Sequence, residues 1–188
     1  MRLVNSRYYE IVNEIIENAN LNGKKCIDAT LGNGNDSLKL LSHIGENGFL
    51  YGFDIQDIAI ENSEKLLNKH NYTNYKLIKD SHDNLDKYIK DEVELVIFNL
   101  GYLPRANKKI VTKANSTISA IEKSLKLLSN TGVLIIVSYL GHEGSFEERS
   151  SLEEFLKNID QHKFLVEKRE FFNQVNTPPI VYLVAKRC

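Results

Sequence analysis

The stretch Asp28-Ala-Thr-Leu-Gly-Asn-Gly-Asn-Asp36 gathers two glycines, two side-chain amides and two carboxylates within nine residues. It follows a short apolar run, Lys25-Cys-Ile-Asp-Ala29, and leads into Ser37-Leu-Lys-Leu-Leu41, which reads as a helix. Between a strand and a helix, Gly32 and Gly34 let the backbone turn sharply and approach a ligand closely, because neither carries a Cβ. Asn33, Asn35 and Asp36 then offer polar groups at the turn. A further carboxylate, Asp54, ends the strand-like run Phe49-Leu-Tyr-Gly-Phe-Asp54, 20 residues after Gly34. There it can accept hydrogen bonds from both ribose hydroxyls of an adenosine-containing cofactor.

Two such cofactors compete. A dinucleotide turn wants a third Gly or Ala for close helix–strand packing, and this chain has Ser37 there. Asp28 stands four residues before Gly32, giving Asp-x-x-x-Gly-x-Gly, which resembles motif I of S-adenosyl-L-methionine (AdoMet) methyltransferases. AdoMet presents an amino-acid end and a sulfonium cation in place of a pyrophosphate, and Asn33, Asn35 and Asp36 suit those groups better. Asp80-Ser81-His82 closes a third strand-like run, Tyr75 to Asp80, where Ser81 and His82 can offer hydrogen bonds or an aromatic edge to adenine. Singly, each feature has a plainer reading: Asp54 as a helix cap, Asp80 as an Asx-turn, His82 as an exposed side chain. At successive strand ends they fit a cofactor site, since ligands of open α/β sheets sit at the carboxyl ends of the strands.

Asn99-Leu-Gly-Tyr-Leu-Pro104 follows a fourth, β-branched and apolar run, Glu94 to Asn99. It resembles the Asn-Pro-Pro-Tyr motif of amino-methylating enzymes, with Leu100-Gly101 in place of the two prolines. In that arrangement Asn99 and the next carbonyl accept the amine's protons and aim its lone pair at the methyl group, while Tyr102 stacks on a base. Downstream, no Asp or Glu occurs between Leu95 and Ile121, and Arg105, Lys108, Lys109 and Lys113 supply four positive charges. Beside the proposed site this basic stretch suits a polyanion, although such a run alone reads as a solvated loop. His142, in Ser138-Tyr-Leu-Gly-His-Glu-Gly-Ser145, has two readings: general base or phosphate contact, and plain loop hydrogen bonding. Asn173-Gln174-Val-Asn176-Thr-Pro-Pro179 reads either as a cover for the substrate or as turn chemistry.

The elements needed to hold these residues follow from hydrophobic period. Tyr8, Ile11, Val12, Ile15, Ile16 and Ala19 recur at helical spacing, and the helix stops near Asn22-Gly23. A helix carrying Ile58, Leu66 and Leu67 follows the second strand. Ile118, Ile121, Leu125 and Leu128 mark another, ending at Thr131-Gly132, before a fifth strand from Val133 to Tyr139. Alternation of strand and helix implies right-handed βαβ units and a parallel sheet covered by helices. Lys163 to Phe171 and Ile180 to Lys186 leave no room for a helix between them, so they form a hairpin and the last strand enters antiparallel.

With 188 residues, 42% hydrophobic and 26% charged, the chain reads as one soluble domain over 1–188. A net charge of -1, from 24 Lys+Arg against 25 Asp+Glu, excludes a globally basic nucleic-acid coat. Cys26 and Cys188 have neither disulfide-framework nor metal-ligand spacing, and no metal motif, phosphate-binding loop or serine-hydrolase elbow occurs. The sequence shows no membrane span and no signal-peptide core, which places the expected location in the cytoplasm. It is compatible with a homodimer without fixing the oligomeric state.

Taken together, the chain resembles the bacterial tRNA 5-(aminomethyl)-2-thiouridine methyltransferases, a family formerly labelled rRNA methylases. The resemblance rests on Asp28 to Asp36, Tyr51-Gly-Phe-Asp-Ile-Gln56, Asn99 to Pro104, Ile110-Val-Thr112, Ser116-Thr-Ile118 with Ala120, Gly141-His142, and Asn173-Gln with Pro178-Pro179. It implies a Rossmann-like class I methyltransferase fold, α/β, with a mostly parallel seven-stranded sheet, an antiparallel terminal hairpin strand and helices on both faces. It also implies AdoMet contacts from Asn33, Asn35, Asp54, Gln56, Ser81 and His82, and a wobble uridine in the tRNA anticodon as substrate. Two rivals keep the same fold: an AdoMet enzyme acting on rRNA or a small-molecule amine, and a non-catalytic RNA-binding domain.

Overall fold

The computed structural model describes residues 5–101, 114–140 and 145–187. Its elements in chain order are α1 (Tyr8–Asn18), β1 (Lys25–Asp28), α2 (Asn35–Ile44), β2 (Phe49–Asp54), α3 (Asp57–Lys69), β3 (Tyr75–Lys79), α4 (Leu85–Tyr88), β4 (Val93–Leu100), α5 (Ala114–Leu127), β5 (Leu128–Ser138), α6 (Ser145–Asn158), β6 (Phe164–Arg169) and β7 (Ile180–Lys186). The strands form one seven-stranded sheet in the order β3-β2-β1-β4-β5-β7-β6. Neighbours among β1 to β5 run parallel, and β7 runs antiparallel to both β5 and β6. The reversal between β1 and β4 opens a crevice at their carboxyl ends, the topological switch point of a doubly wound sheet.

Side chains of successive strand residues point to opposite faces, and both faces are apolar. Ile27, Val96, Phe98, Leu134 and Ile136 pack with Leu85 and Ile89 around α4, Ile121 and Leu125 of α5, and Leu152 and Leu156 of α6. Cys26, Leu95, Ile97, Ile135 and Val137 pack on the other face with Ile11, Val12 and Ile16 of α1, Leu40, Leu41 and Ile44 of α2, and Leu67 of α3. Helices therefore cover both faces. Val93 to Phe98 of β4 are buried throughout, so the strand that ends in Asn99 is anchored on both sides. Truncating Phe98 to Ala in such a setting costs about 3–5 kcal/mol.

Three boundaries differ from the sequence reading. β5 starts at Leu128, and α5 ends at Leu127 instead of Thr131-Gly132. Gly132 serves a close approach there: a Cβ would meet the Glu94 carbonyl at 3.1 Å and Leu128 Cδ2 at 3.0 Å. Ser129 and Thr131, which look like turn residues, donate their hydroxyls to buried Glu94 of the neighbouring strand. The third difference is α6, whose charged surface and short apolar stripe conceal its helical period.

Candidate active site

β1 delivers Asp28 to the base of the glycine turn, where its side chain is fully buried. Ser37 Oγ donates to Asp28 Oδ2 at 2.6 Å and the Thr30 N–H to Oδ1 at 3.2 Å. Ser37, the departure from the dinucleotide pattern, is thus the hydroxyl that satisfies this carboxylate. Burial, reinforced by the charge of Asp36, pushes the Asp28 carboxyl up to about 7. Asp28 holds the turn from beneath and does not face its outer surface.

Above it, Gly34 takes a left-handed φ of 77° as the residue before α2, and α3 closes in behind. A Cβ on Gly34 would stand 2.8 Å from Ser63 Oγ. Ser63 Oγ in turn donates to the Gly32 carbonyl at 3.2 Å, and Asn62 Nδ2 to Asn33 Oδ1 at 3.2 Å. These two α3 residues were not singled out in the sequence, because their helical spacing carries no chemical signature. Asn33 and Asn35 are exposed and Asp36 is half-buried.

β2 sets Asp54 beside the turn. Its Oδ2 accepts from the Gly32 N–H at 3.0 Å and its Oδ1 from the Gln56 N–H at 3.0 Å. The side chain stays half-exposed, and each oxygen keeps a lone pair for a ligand hydroxyl. Burial raises the Asp54 carboxyl above its usual range, opposed by these N–H donors. Gln56 precedes α3 without capping it by its side chain.

At the end of β3, Ser81 Oγ accepts from the Asp83 N–H at 3.2 Å and starts a short 3-10 turn, His82–Asn84. Asp80 is occupied by Asn84, Tyr88 and the Ser81 N–H, as an Asx-type turn requires. His82 points inward. Its Nδ1 lies 3.1 Å from the Ala29 carbonyl, and its ring meets Phe98 edge-on with centroids 5.6 Å apart. A carbonyl only accepts, so Nδ1 carries the proton, and burial lowers the pKa of the ring. The histidine therefore ties the third strand end to the first.

Asn99 completes the rim. Its backbone N–H donates to Thr30 Oγ1 at 2.6 Å and its Nδ2 to Asp36 Oδ2 at 2.9 Å. It pairs in register with Val137 of β5, which brings Tyr139 alongside. The Tyr139 ring meets Tyr8 of α1 at 5.4 Å between centroids, and its hydroxyl hydrogen-bonds with both Tyr8 and Asn99. The structure thus brings Gly32, Asn33, Gly34, Asn35, Asp36, Asp54, Gln56 and Asn99 to one sheet edge, with Ser81 and His82 flanking it. Tyr102, Arg105, Lys108, Lys109, Lys113 and His142 lie outside the described residues. Tyr8, Thr30 and Tyr139 join the site as residues the sequence left unmarked.

Asp28, Asp36 and Asp54 surround a turn that carries no Lys or Arg from Cys26 to Leu38. Such a set favours a ligand with positive charge and hydroxyl donors and repels a pyrophosphate. Among the described residues no group of three or more His, Cys, Asp or Glu is placed to hold a metal ion.

Sheet order, reversed last strand and acidic glycine turn define a class I methyltransferase of Rossmann-like fold. The chain belongs to the family described as "Putative rRNA methylase", which it matches over residues 50–185. It is 32% identical over 185 residues to the chloroplastic tRNA (mnm(5)s(2)U34)-methyltransferase of Arabidopsis thaliana, covering 93% of this chain and 68% of that protein. It is also 31% identical over 129 residues to ribosomal RNA small subunit methyltransferase H of Buchnera aphidicola, where it spans 40% of the relative. Among solved structures, a "putative rRNA-methylase" of Clostridium thermocellum superposes with a TM-score of 0.96 at 43% identity, covering 98% of this chain and 100% of that one. A "putative methyltransferase" of Streptococcus mutans, crystallised with S-adenosylhomocysteine, superposes at 0.89 with 34% identity over 98% of this chain and 100% of that one.

Proposed function

We propose that the chain is an AdoMet-dependent tRNA methyltransferase that N-methylates the 5-aminomethyl group of (2-thio)uridine at the anticodon wobble position, giving 5-methylaminomethyl-(2-thio)uridine. The cofactor is S-adenosyl-L-methionine, which supplies an electrophilic methyl group on a sulfonium. Asn33, Asn35 and Asp36 hold its amino-acid end, supported from below by Asp28, Gly32 and Gly34. Asp54 and Gln56 hold the ribose, and the Ser81–His82 turn borders the adenine. Tyr102 stacks on the uridine, Arg105, Lys108, Lys109 and Lys113 bind the RNA backbone, and His142 contacts the substrate. The enzyme works as a single cytoplasmic domain, and a homodimer is compatible with this reading.

An alkyl amine in water is mostly protonated and lacks a free lone pair. The site therefore selects the neutral amine, through desolvation and the adjacent sulfonium charge, both of which disfavour an ammonium. Asn99 Oδ1 and the Leu100 carbonyl accept its two N–H bonds and direct the lone pair in line with the carbon–sulfur bond. The nitrogen forms the new bond to the methyl carbon, the sulfur keeps the electron pair of the broken one, and the product sheds one proton to solvent.

The observation that carries this reading is Asn99 at the end of β4, its Nδ2 fixed on Asp36 of the cofactor turn at 2.9 Å. An rRNA acceptor is the second reading, favoured by the match to ribosomal RNA methyltransferase H. Mass spectrometry of nucleosides from a deletion strain separates them. Loss of 5-methylaminomethyl uridines from tRNA with build-up of the 5-aminomethyl precursor supports the proposal, and an unchanged tRNA profile with a lost rRNA methyl group refutes it.

A further inference from the structure

The Asn99 side chain has two donors and one acceptor, and its surroundings decide which of them face the substrate. Asp36 Oδ2, 2.9 Å from Nδ2, can only accept while ionised, so the amide cannot be turned round without setting carbonyl oxygen against carboxylate. The second partner is Tyr139. Asn99 donates to the tyrosine oxygen, and Tyr139 packs edge-on against Tyr8 with centroids 5.4 Å apart. The Asn99 backbone is fixed separately, by Thr30 Oγ1 at 2.6 Å. Both amide protons are therefore engaged by neighbours, and Oδ1 is the part of the amide left for a ligand.

We propose that Asp36 and Tyr139 are positioning residues that engage both Nδ2 protons of Asn99 and so present only Oδ1 to the acceptor, which restricts the site to acceptors that bring an N–H donor. This rests on the function proposed above and moves Asp36 from direct cofactor contact to control of the acceptor side. A reversed amide would present a donor and favour an acceptor without hydrogens, such as a ring nitrogen or a carbonyl. Tyr8 extends the clamp to α1, so the first helix buttresses the reacting end of β4.

Two measurements test the clamp. The first needs no substrate: NMR of the protein labelled with 15N-asparagine, with Asn99 assigned by its loss in Asn99→Ala. The wild type is expected to show two resolved, slowly exchanging Nδ2 protons, and Asp36→Asn and Tyr139→Phe each to speed exchange by about tenfold, the protection one good hydrogen bond gives. Equal exchange in wild type and both variants overturns the proposal. The second is a double-mutant cycle with AdoMet and tRNA carrying 5-aminomethyluridine. Each single variant should lower kcat by about tenfold or more while AdoMet affinity stays within about threefold, and adding it to Asn99→Ala should change kcat by less than about twofold. Multiplicative losses, or AdoMet binding weakened as much as kcat, contradict a role through Asn99. If Asp36→Asn fails to fold, Tyr139→Phe carries both arms. If the wild type leaves aminomethyluridine unmethylated, the proposed function fails while the exchange data still decide the clamp.

Discussion

The backbone N–H of Gly32 donates to Oδ2 of Asp54 at 3.0 Å, joining residues 22 apart in sequence into one wall of the crevice. The turn after β1 and the carboxylate ending β2 are therefore a single unit, and a ligand held by one is registered against the other. Asp54→Ala removes two prospective charge-assisted bonds to ribose and leaves the Gly32 N–H without this acceptor. AdoMet affinity should fall by about 2–4 kcal/mol, on the order of 30- to 1000-fold, at about 1.5–3 kcal/mol for each hydrogen bond to a charged group and allowing for non-additivity. Calorimetry with AdoMet checks this, and unchanged affinity removes the ribose assignment.

Asn99 lies across the crevice from Asp54 in role: it serves the acceptor. Asn99→Ala should keep AdoMet affinity within about threefold yet lower turnover on the order of 100-fold or more, the scale of a lost orienting contact. Steady-state kinetics with parallel calorimetry separates the two effects. Retained turnover would move the acceptor site elsewhere.

Asp28 gives the fold a pH signature. Its carboxyl titrates near 7 when folded against 3.8 as the ordinary value, chiefly through burial. Between those values the folded protein holds a proton that the unfolded chain has released. This stability is fully present below pH 3.8 and is lost as pH rises through about 7. Asp28→Asn keeps the side chain neutral at every pH, so the fall in denaturation midpoint from pH 5 to pH 8 should shrink relative to wild type. Ser37 Oγ and the Thr30 N–H reach different oxygens of Asp28, so the amide retains only one of them as an acceptor and the variant starts from a lower midpoint at pH 5. An identical pH dependence in both proteins would contradict the assignment.

Gly34 is held by backbone and by space together. At φ 77°, a Cβ would stand 2.8 Å from Ser63 Oγ and 3.0 Å from Ser63 Cα, an atom that cannot swing aside. Gly34→Ala should destabilise by about 2 kcal/mol or more, lowering Tm by roughly 4–8 °C for a chain of this size. Ser63→Gly in the same protein should restore only part of that loss, because it relieves the contact and leaves the left-handed backbone. Thermal melts of the single and double variants check both statements.

The architecture was legible where a pattern is local. The period of β4 and the absence of room for a helix between Lys163 and Ile180 foretold a buried central strand and an antiparallel end, as the β5–β7 and β6–β7 pairings show. Asp54 and Asn99 were legible because they end apolar runs at the edge where ligands bind. What stayed hidden depends on partners distant in sequence. Ser63 meets Gly32 across 31 residues, and Asn99 meets Asp36 across 63. His82 reads as a ligand-facing ring from its place after β3, yet the Ala29 carbonyl 53 residues earlier draws it inward. α6 was missed because only Leu152 and Leu156 of its stripe are buried apolar residues, too few to mark a helical period.

The central claim is that the turn Gly32 to Asp36 and the carboxylate of Asp54 together bind the methyl donor. A crystal of the protein grown with S-adenosylhomocysteine tests it most directly. The account predicts ribose hydroxyls within hydrogen-bond distance of Asp54, the amino-acid end over Asn33 to Asp36, and the thioether sulfur facing Asn99. Density for the molecule away from this crevice, with the crevice holding only solvent, would contradict it.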